Sequence, residues 1–100
     1  MKALKIFLNT NYEFNISGFS RSTSIQDGRT VSNAYIGLKD PTYQEIEQLR
    51  GLAAYSIATL VITADNEEIY RQEGLTARIT SIEESVGDEG QMRTYCNITF

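Results

Sequence analysis

Residues 40–55, DPTYQEIEQLRGLAAY, decide the fold, because they carry the one convincing helix signal in the chain. Asp40 is able to cap a helix, and Pro41 suits the first helical position, where its missing N–H costs nothing. Thr42 and Glu45 have the spacing of a capping box, in which each side chain bonds the other residue's backbone. The sequence therefore predicts a helix over about residues 41–54.

The apolar side chains of this stretch recur every three or four residues, which is the period of one helix face. The stripe consists of Tyr43, Ile46, Leu49 and Ala53. A helix with one such stripe buries it against another element, so we expect the rest of the chain to supply a sheet.

The segments around the helix alternate in hydrophobicity and predict strands. Residues 57–63, IATLVIT, are apolar on both faces, which predicts an internal strand covered on both sides. Between Ile79 and Ile82 the alternation breaks, and a β-bulge near Thr80 would restore it. The other predicted strands are residues 3–9, 12–16, 34–38, 68–72, 75–82 and 91–100.

Short turns separate the last four predicted strands, so we expect them to form an antiparallel meander. One helix covers only one face of a sheet, and the N-terminal strands are expected to supply the second cover for residues 57–63. The prediction is a single α+β domain over residues 1–100, a mainly antiparallel β-barrel or sandwich with one flanking helix. A single curved sheet with the helix across it, of β-grasp type, is the alternative.

Residues 17–32, SGFSRSTSIQDGRTVS, are too polar to form a packed strand pair. Asp27-Gly28 predicts a tight type I′ turn, which requires positive φ at both central residues. We therefore expect a mobile or projecting hairpin, or an extended loop. It is either a solvated loop or an arm that orders against a partner. In the second case Arg21, Asp27, Gly28 and Arg29 are partner-binding residues.

Two tyrosines, Tyr70 and Tyr95, are further candidates for partner binding. Tyrosine is enriched at protein interfaces, because it combines an apolar ring with a polar tip. Both fall on strands that we expect to be largely exposed. Ordinary tyrosines at the rim of a small β protein are the alternative interpretation.

The composition excludes several kinds of chemistry. The chain has 100 residues, a net charge of −4 and no histidine. The charge argues against direct nucleic-acid binding, and the missing histidine removes the commonest general base and zinc ligand. The single cysteine, Cys96, falls on the apolar face of the last strand, where a buried thiol is the expectation. No cofactor, no metal and no enzymatic activity are predicted.

Two acidic turns, around residues 65–68 and 83–89, are the remaining charged feature. Their spacing matches no EF-hand loop, so solvated turns explain them better than a calcium site. The apolar run of residues 1–9 is too short for a signal peptide, and no stretch approaches the roughly 20 apolar residues of a membrane span. We expect a cytoplasmic protein or a component of a particle assembled inside a cell, not one secreted by a signal peptide and not a membrane protein.

The stretch LVITADNEEIYRQEGLTARITSIEE, residues 60–84, runs strand, acidic turn, strand, glycine, strand. In this order of elements the chain resembles small phage and prophage tail or head–tail joining proteins. The resemblance implies assembly through sheet edges and projecting arms, and it assigns a role to no individual residue.

Two functional hypotheses follow. The first is a non-enzymatic structural protein, a tail-associated virion component whose partners are further copies of itself or other virion subunits. The second is a small acidic inhibitor or adaptor, also phage-encoded, that binds a basic surface of a nucleic-acid enzyme through the acidic turns.

Overall fold

Seven antiparallel strands and one short helix make up residues 2–100, the part of the chain that the computed structural model describes. The predicted α+β class, mainly antiparallel with one helix, is confirmed. The elements are β1 Leu4–Leu8, β2 Tyr12–Gln26, β3 Arg29–Leu38, α1 Tyr43–Leu52, β4 Leu60–Ala64, β5 Glu67–Gln72, β6 Arg78–Val86 and β7 Met92–Thr99. The strands form one sheet in the order β5-β4-β1-β2-β3-β7-β6.

The sheet curls strongly, although over residues 2–100 it is not closed into a barrel. A bulge between Ile16 and Gly18 bends the long strand β2. Phe19 of β2 then contacts Tyr70 of β5, although two strands lie between them in the sheet. An isolated bridge between residues 57 and 77 links the segments that precede β4 and β6. The fold is therefore an open, curled sheet with one flanking helix; of the predicted architectures, the open forms fit and a closed barrel does not form.

The predicted meander of the last four strands is wrong. The β4–β5 hairpin lies at one edge of the sheet and the β6–β7 hairpin at the other. The connection between them is held by backbone hydrogen bonds from Leu75 to the Ala58 carbonyl and between Ile57 and Ala77. These bonds hold residues 75–77 beside residues 57–58, and the chain then enters β6 at the opposite edge of the sheet. The short turns in the sequence give no sign of this crossing.

The helix begins at Tyr43 and ends at Leu52, inside the predicted 41–54. Thr42 is the N-cap, and the predicted capping box is present: the Glu45 amide donates to Thr42 Oγ1 at 3.2 Å, and the Thr42 amide donates to Glu45 Oε1 at 3.0 Å. Asp40 does not cap, because it lies two residues earlier with a φ of 45°. Pro41 consequently precedes the cap and is not the first helical residue.

The buried face of the helix differs from the predicted stripe at both ends. Ile46, Leu49 and Leu52 are buried, and Leu49 and Leu52 join the sheet's core. Tyr43 lies in the first turn and is 75% exposed, while Ala53 is the half-buried C-cap. The buried stripe is therefore Ile46, Leu49 and Leu52, at steps of three residues.

The observed strands agree with most of the predictions made from hydrophobic alternation. The register of β6 against β7 shifts between Ile79 and Ser81, which confirms the bulge predicted near Thr80. β7 lies inside the sheet, between β3 and β6. β4 lies between β1 and β5, with Ile62 in the core and Val61 also buried on the other face. The apolar pattern of residues 57–63 therefore predicts an internal strand, but the strand itself is Leu60–Ala64, and Ile57 forms only an isolated bridge to Ala77.

In β5 it is Tyr70 and not Ile69 that faces the core, because the strand contains a bulge. The register shifts between Ile62 and Thr63, so that Tyr70 stands opposite Ile62 and Ile69 is the extra residue of a bulge. Ile69 is 59% exposed, whereas Tyr70 is half-buried and packs against the core. A bulge on so short a strand leaves no signal in the alternation.

Candidate assembly surface

A regular two-stranded arm, residues 22–32, extends from the sheet where β2 and β3 continue past their neighbours. The neighbours are β1, whose first residue pairs with Ile16, and β7, whose last residue pairs with Asn33. Beyond these points β2 and β3 pair with each other as far as Gln26 opposite Arg29, and one further backbone bond joins the Ser32 carbonyl to the Phe100 amide. The arm is therefore an ordered hairpin, which decides between the alternatives of hairpin and extended loop.

The tip of the arm has the predicted type I′ geometry. Asp27 and Gly28 have φ values of 50° and 76°, both positive as that turn requires. The side chains of residues 22–30 are all exposed, including Ile25 at 77%. Three of the predicted partner-binding residues, Asp27, Gly28 and Arg29, therefore lie together at the tip, where a partner could reach them.

Arg21 lies at the base of the arm instead of on its surface. Its guanidinium donates to Ser32 Oγ at 2.7 Å and to the Tyr70 hydroxyl at 3.2 Å. The same group stacks over the Phe100 ring, 4.0 Å from the centroid, in a cation–π contact. Arg21 thus joins β2, β3, β5 and the residue after β7, so its main role is to fix the arm relative to the sheet.

The two candidate tyrosines lie on opposite faces of the sheet. Tyr70 faces the core between Phe19 and Arg21 and does not present its ring to a partner. Tyr95 lies on the outer face, stacked on Tyr35 with ring centroids 5.3 Å apart. Partial burial raises the pKa of Tyr35, and the nearby Glu83 carboxylate adds to the effect. Tyr95 therefore remains accessible only as half of a stacked pair.

The acidic turns are partly neutralised within the chain. Glu68 accepts from Arg71 at 2.6 Å, and this hydrogen bond lowers the pKa of the carboxyl. Glu84 pairs with Arg50 of the helix at 2.7 Å, and Asp65 Oδ1 accepts from the Ala3 amide at 2.9 Å. These partners leave less free charge for a basic protein than the sequence suggests.

The side chains that could do chemistry are dispersed. No group of His, Cys, Asp and Glu within residues 2–100 is arranged to hold a metal ion. Cys96 is buried in the core, and burial raises the pKa of its thiol to about 12, so it is a poor nucleophile. None of the helices in that same range has the length and apolar character needed to cross a membrane.

Sequence reasoning missed the residues that anchor the arm, chiefly Ser32 and Phe100. A signal was present: Phe19, Arg21, Thr23 and Ile25 alternate with serines in β2, which indicates one strand with two distinct faces. The polarity of the segment concealed this alternation.

No protein-family model matches the chain, and no curated protein matches it.

Proposed function

We propose that this chain is a non-enzymatic structural subunit that acts through protein–protein contacts, as a tail-associated component of a phage or prophage virion. The observation that carries the proposal is the arm, residues 22–32, which is regular, exposed and anchored at its base. The resemblance in the order of elements supplies the virion context. The cytoplasm of the host cell and the assembled particle are the corresponding locations.

The geometry of the arm supports a role in assembly. A segment that is already ordered loses little conformational entropy on binding, so more of its contact energy contributes to affinity. Ile25 is the apolar residue among the exposed residues 22–30 and is itself 77% exposed, so a partner that covered it would gain by the burial of its apolar surface. Arg21 keeps the arm in one direction relative to the sheet, as a repeated contact in a particle requires.

The acidic-adaptor hypothesis gains no comparable support. Its charged turns are engaged by Arg50 and Arg71 of the same chain, and exposed pairs of this kind already reduce the field that a basic partner would feel.

The test is incorporation into particles. Virions or prophage particles from the organism that carries the gene are purified on a density gradient, and the chain is sought by mass spectrometry. A variant in which Asp27-Gly28 directly joins Ser24 to Val31 shortens the arm and removes Ile25 but keeps Ser32, which bonds Arg21 and Phe100. We expect the native chain in the particle fraction and the short-arm variant in the soluble fraction. A native chain absent from intact particles overturns the proposal.

A further inference from the structure

The free edge of β2 along the arm carries backbone groups that the sheet leaves unpaired. In a two-residue hairpin the residues that flank the turn, Gln26 and Arg29, exchange hydrogen bonds, and the ladder then alternates. Ser24 opposite Val31 is the next bonded pair. The intervening residues on β2, namely Arg21, Thr23 and Ile25, therefore point their N–H and C=O groups away from β3.

An independent contact confirms this phase. The Ser32 carbonyl accepts from the Phe100 amide at 3.0 Å, so it points away from β2 and toward the chain end of β7. Ser32 stands opposite Thr23, and the two are consequently a non-hydrogen-bonded pair. Thr23 must direct its own backbone groups to the free side of β2.

This edge differs from the two outer edges of the sheet, which are protected against pairing. β5 has a bulge at Ile69 and carries Glu67, Glu68 and Arg71, and β6 has a bulge at Thr80. Bulges and charges are the usual devices that prevent strand addition. Residues 22–26 of β2, STSIQ, are uncharged and regular. An exposed strand of this kind is a template for another strand.

We propose that two copies of this chain associate by antiparallel pairing of their free β2 edges, with Thr23 of each copy on the two-fold axis. The proposal deepens the structural role above and rests on it. In this register Thr23 meets Thr23 of the second copy, and Arg21 meets Ile25 in both directions. These three pairs exchange roughly six backbone hydrogen bonds, two for each bonded pair.

Steric room and charge exclude the registers closer to the sheet. Pairing centred on Arg21 would place two arginines opposite each other, which is destabilising. Pairing closer to the sheet would run into β1, which occupies the edge of β2 as far as Ile16. With Thr23 at the centre, the tip of the second arm stops beside the start of β1. Asp27 of the second copy then stands opposite Phe19, two residues beyond Ser17 in the groove that Lys2, Lys39 and Asp40 also line.

Disulfide trapping tests the register directly. Directly opposed Cα atoms in a bonded antiparallel pair are about 5.5 Å apart, within the range that a disulfide spans. Thr23→Cys should therefore give a covalent dimer under mild oxidation, on the order of 10–100 times faster than a random collision, because pairing raises the effective concentration. The native Cys96 does not interfere, since it is buried.

The matched control is Ser24→Cys, one residue along the same arm. In the proposed register residue 24 faces residue 22 of the second copy, and the two residues 24 lie about 8 Å apart, beyond disulfide reach. Ser24→Cys alone should stay monomeric on a non-reducing gel, whereas a mixture of Ser22→Cys and Ser24→Cys chains should form the mixed dimer.

Equal rates for Thr23→Cys and Ser24→Cys would overturn the pairing, as would a native chain that sediments as a monomer up to millimolar concentration. Either result leaves the particle experiment to decide the structural role by itself. Conversely, a trapped dimer together with absence from particles would keep the pairing and remove the virion assignment.

Discussion

Replacing Arg21 by methionine tests whether one side chain fixes the arm to the sheet. Methionine keeps the unbranched apolar stem of the arginine but removes the guanidinium. The change deletes hydrogen bonds of 2.7 Å to Ser32 and 3.2 Å to Tyr70, and the stacking over Phe100 at 4.0 Å. The fold itself should survive, because the buried core does not include Arg21.

The expected loss is moderate because Arg21 is only half-buried. A hydrogen bond from a charged group contributes about 1.5–3 kcal/mol when it is protected from water, and a cation–π contact about 0.5–1 kcal/mol at an exposed site. Water is able to replace part of both interactions in the variant. We therefore expect Arg21→Met to lower the free energy of unfolding by about 2 kcal/mol, which lowers the Tm by roughly 10 °C for a chain of this size.

The measurement is urea unfolding combined with amide hydrogen exchange. The Phe100 amide, which donates to the Ser32 carbonyl at 3.0 Å, should exchange faster once Arg21 no longer holds the ring. Arg29→Met, at the exposed tip, is the control and should change stability by less than about 0.5 kcal/mol. A double-mutant cycle with Tyr70→Phe should give a coupling of roughly 0.5–1.5 kcal/mol. An Arg21→Met variant as stable as the control, with Phe100 exchange unchanged, would refute the anchoring role.

Three further predictions concern the helix, the core thiol and one ion pair. Thr42→Ala removes the cap and should cost about 1 kcal/mol in urea unfolding, whereas Thr42→Ser should be nearly neutral. Burial raises the pKa of the Cys96 thiol to about 12. At pH 8 the thiol should therefore react with a thiol reagent roughly 10³-fold more slowly in the native protein than in urea. Equal rates in the two conditions would show that the thiol is not buried. Glu68 should titrate below the ordinary range of a glutamate by NMR, and Arg71→Gln should raise its pKa. Because the folded-state pKa of Glu68 is lowered, its contribution to stability is present above the unfolded pKa and is lost as the pH falls through the folded value.

The boundaries of the helix show what local chemistry specifies. The capping box of Thr42 and Glu45 forms as predicted, since it needs only residues three apart in one turn of backbone. The competing cap at Asp40 fails because that residue lies in a left-handed backbone conformation where β3 leads toward the helix. Which of the two candidate caps is used therefore depends on the backbone conformation between the end of β3 and the start of the helix.

The candidate site divides in the same way. The type I′ turn at Asp27-Gly28 is a local property, and it forms as predicted. The positions of Arg21 and Tyr70 are not local. They meet only because the bulge in β2 and the curl of the sheet bring together residues 49 positions apart. Their separate patterns in the sequence predict exposed residues for both.

The sequence by itself determined the elements of this protein: a capped helix, strands with a bulge near Thr80, a tight hairpin tip and a buried thiol. Each depends on hydrogen bonds and side-chain periodicity within a few residues. Only the tertiary structure decided the order of strands, the open sheet and the anchoring of the arm. Those features depend on the edge of the sheet to which the chain crosses after β5. Backbone hydrogen bonds between residues 75–77 and residues 57 and 58 hold that crossing in place. Contacts between distant segments set that crossing, and no periodicity in the chain encodes it.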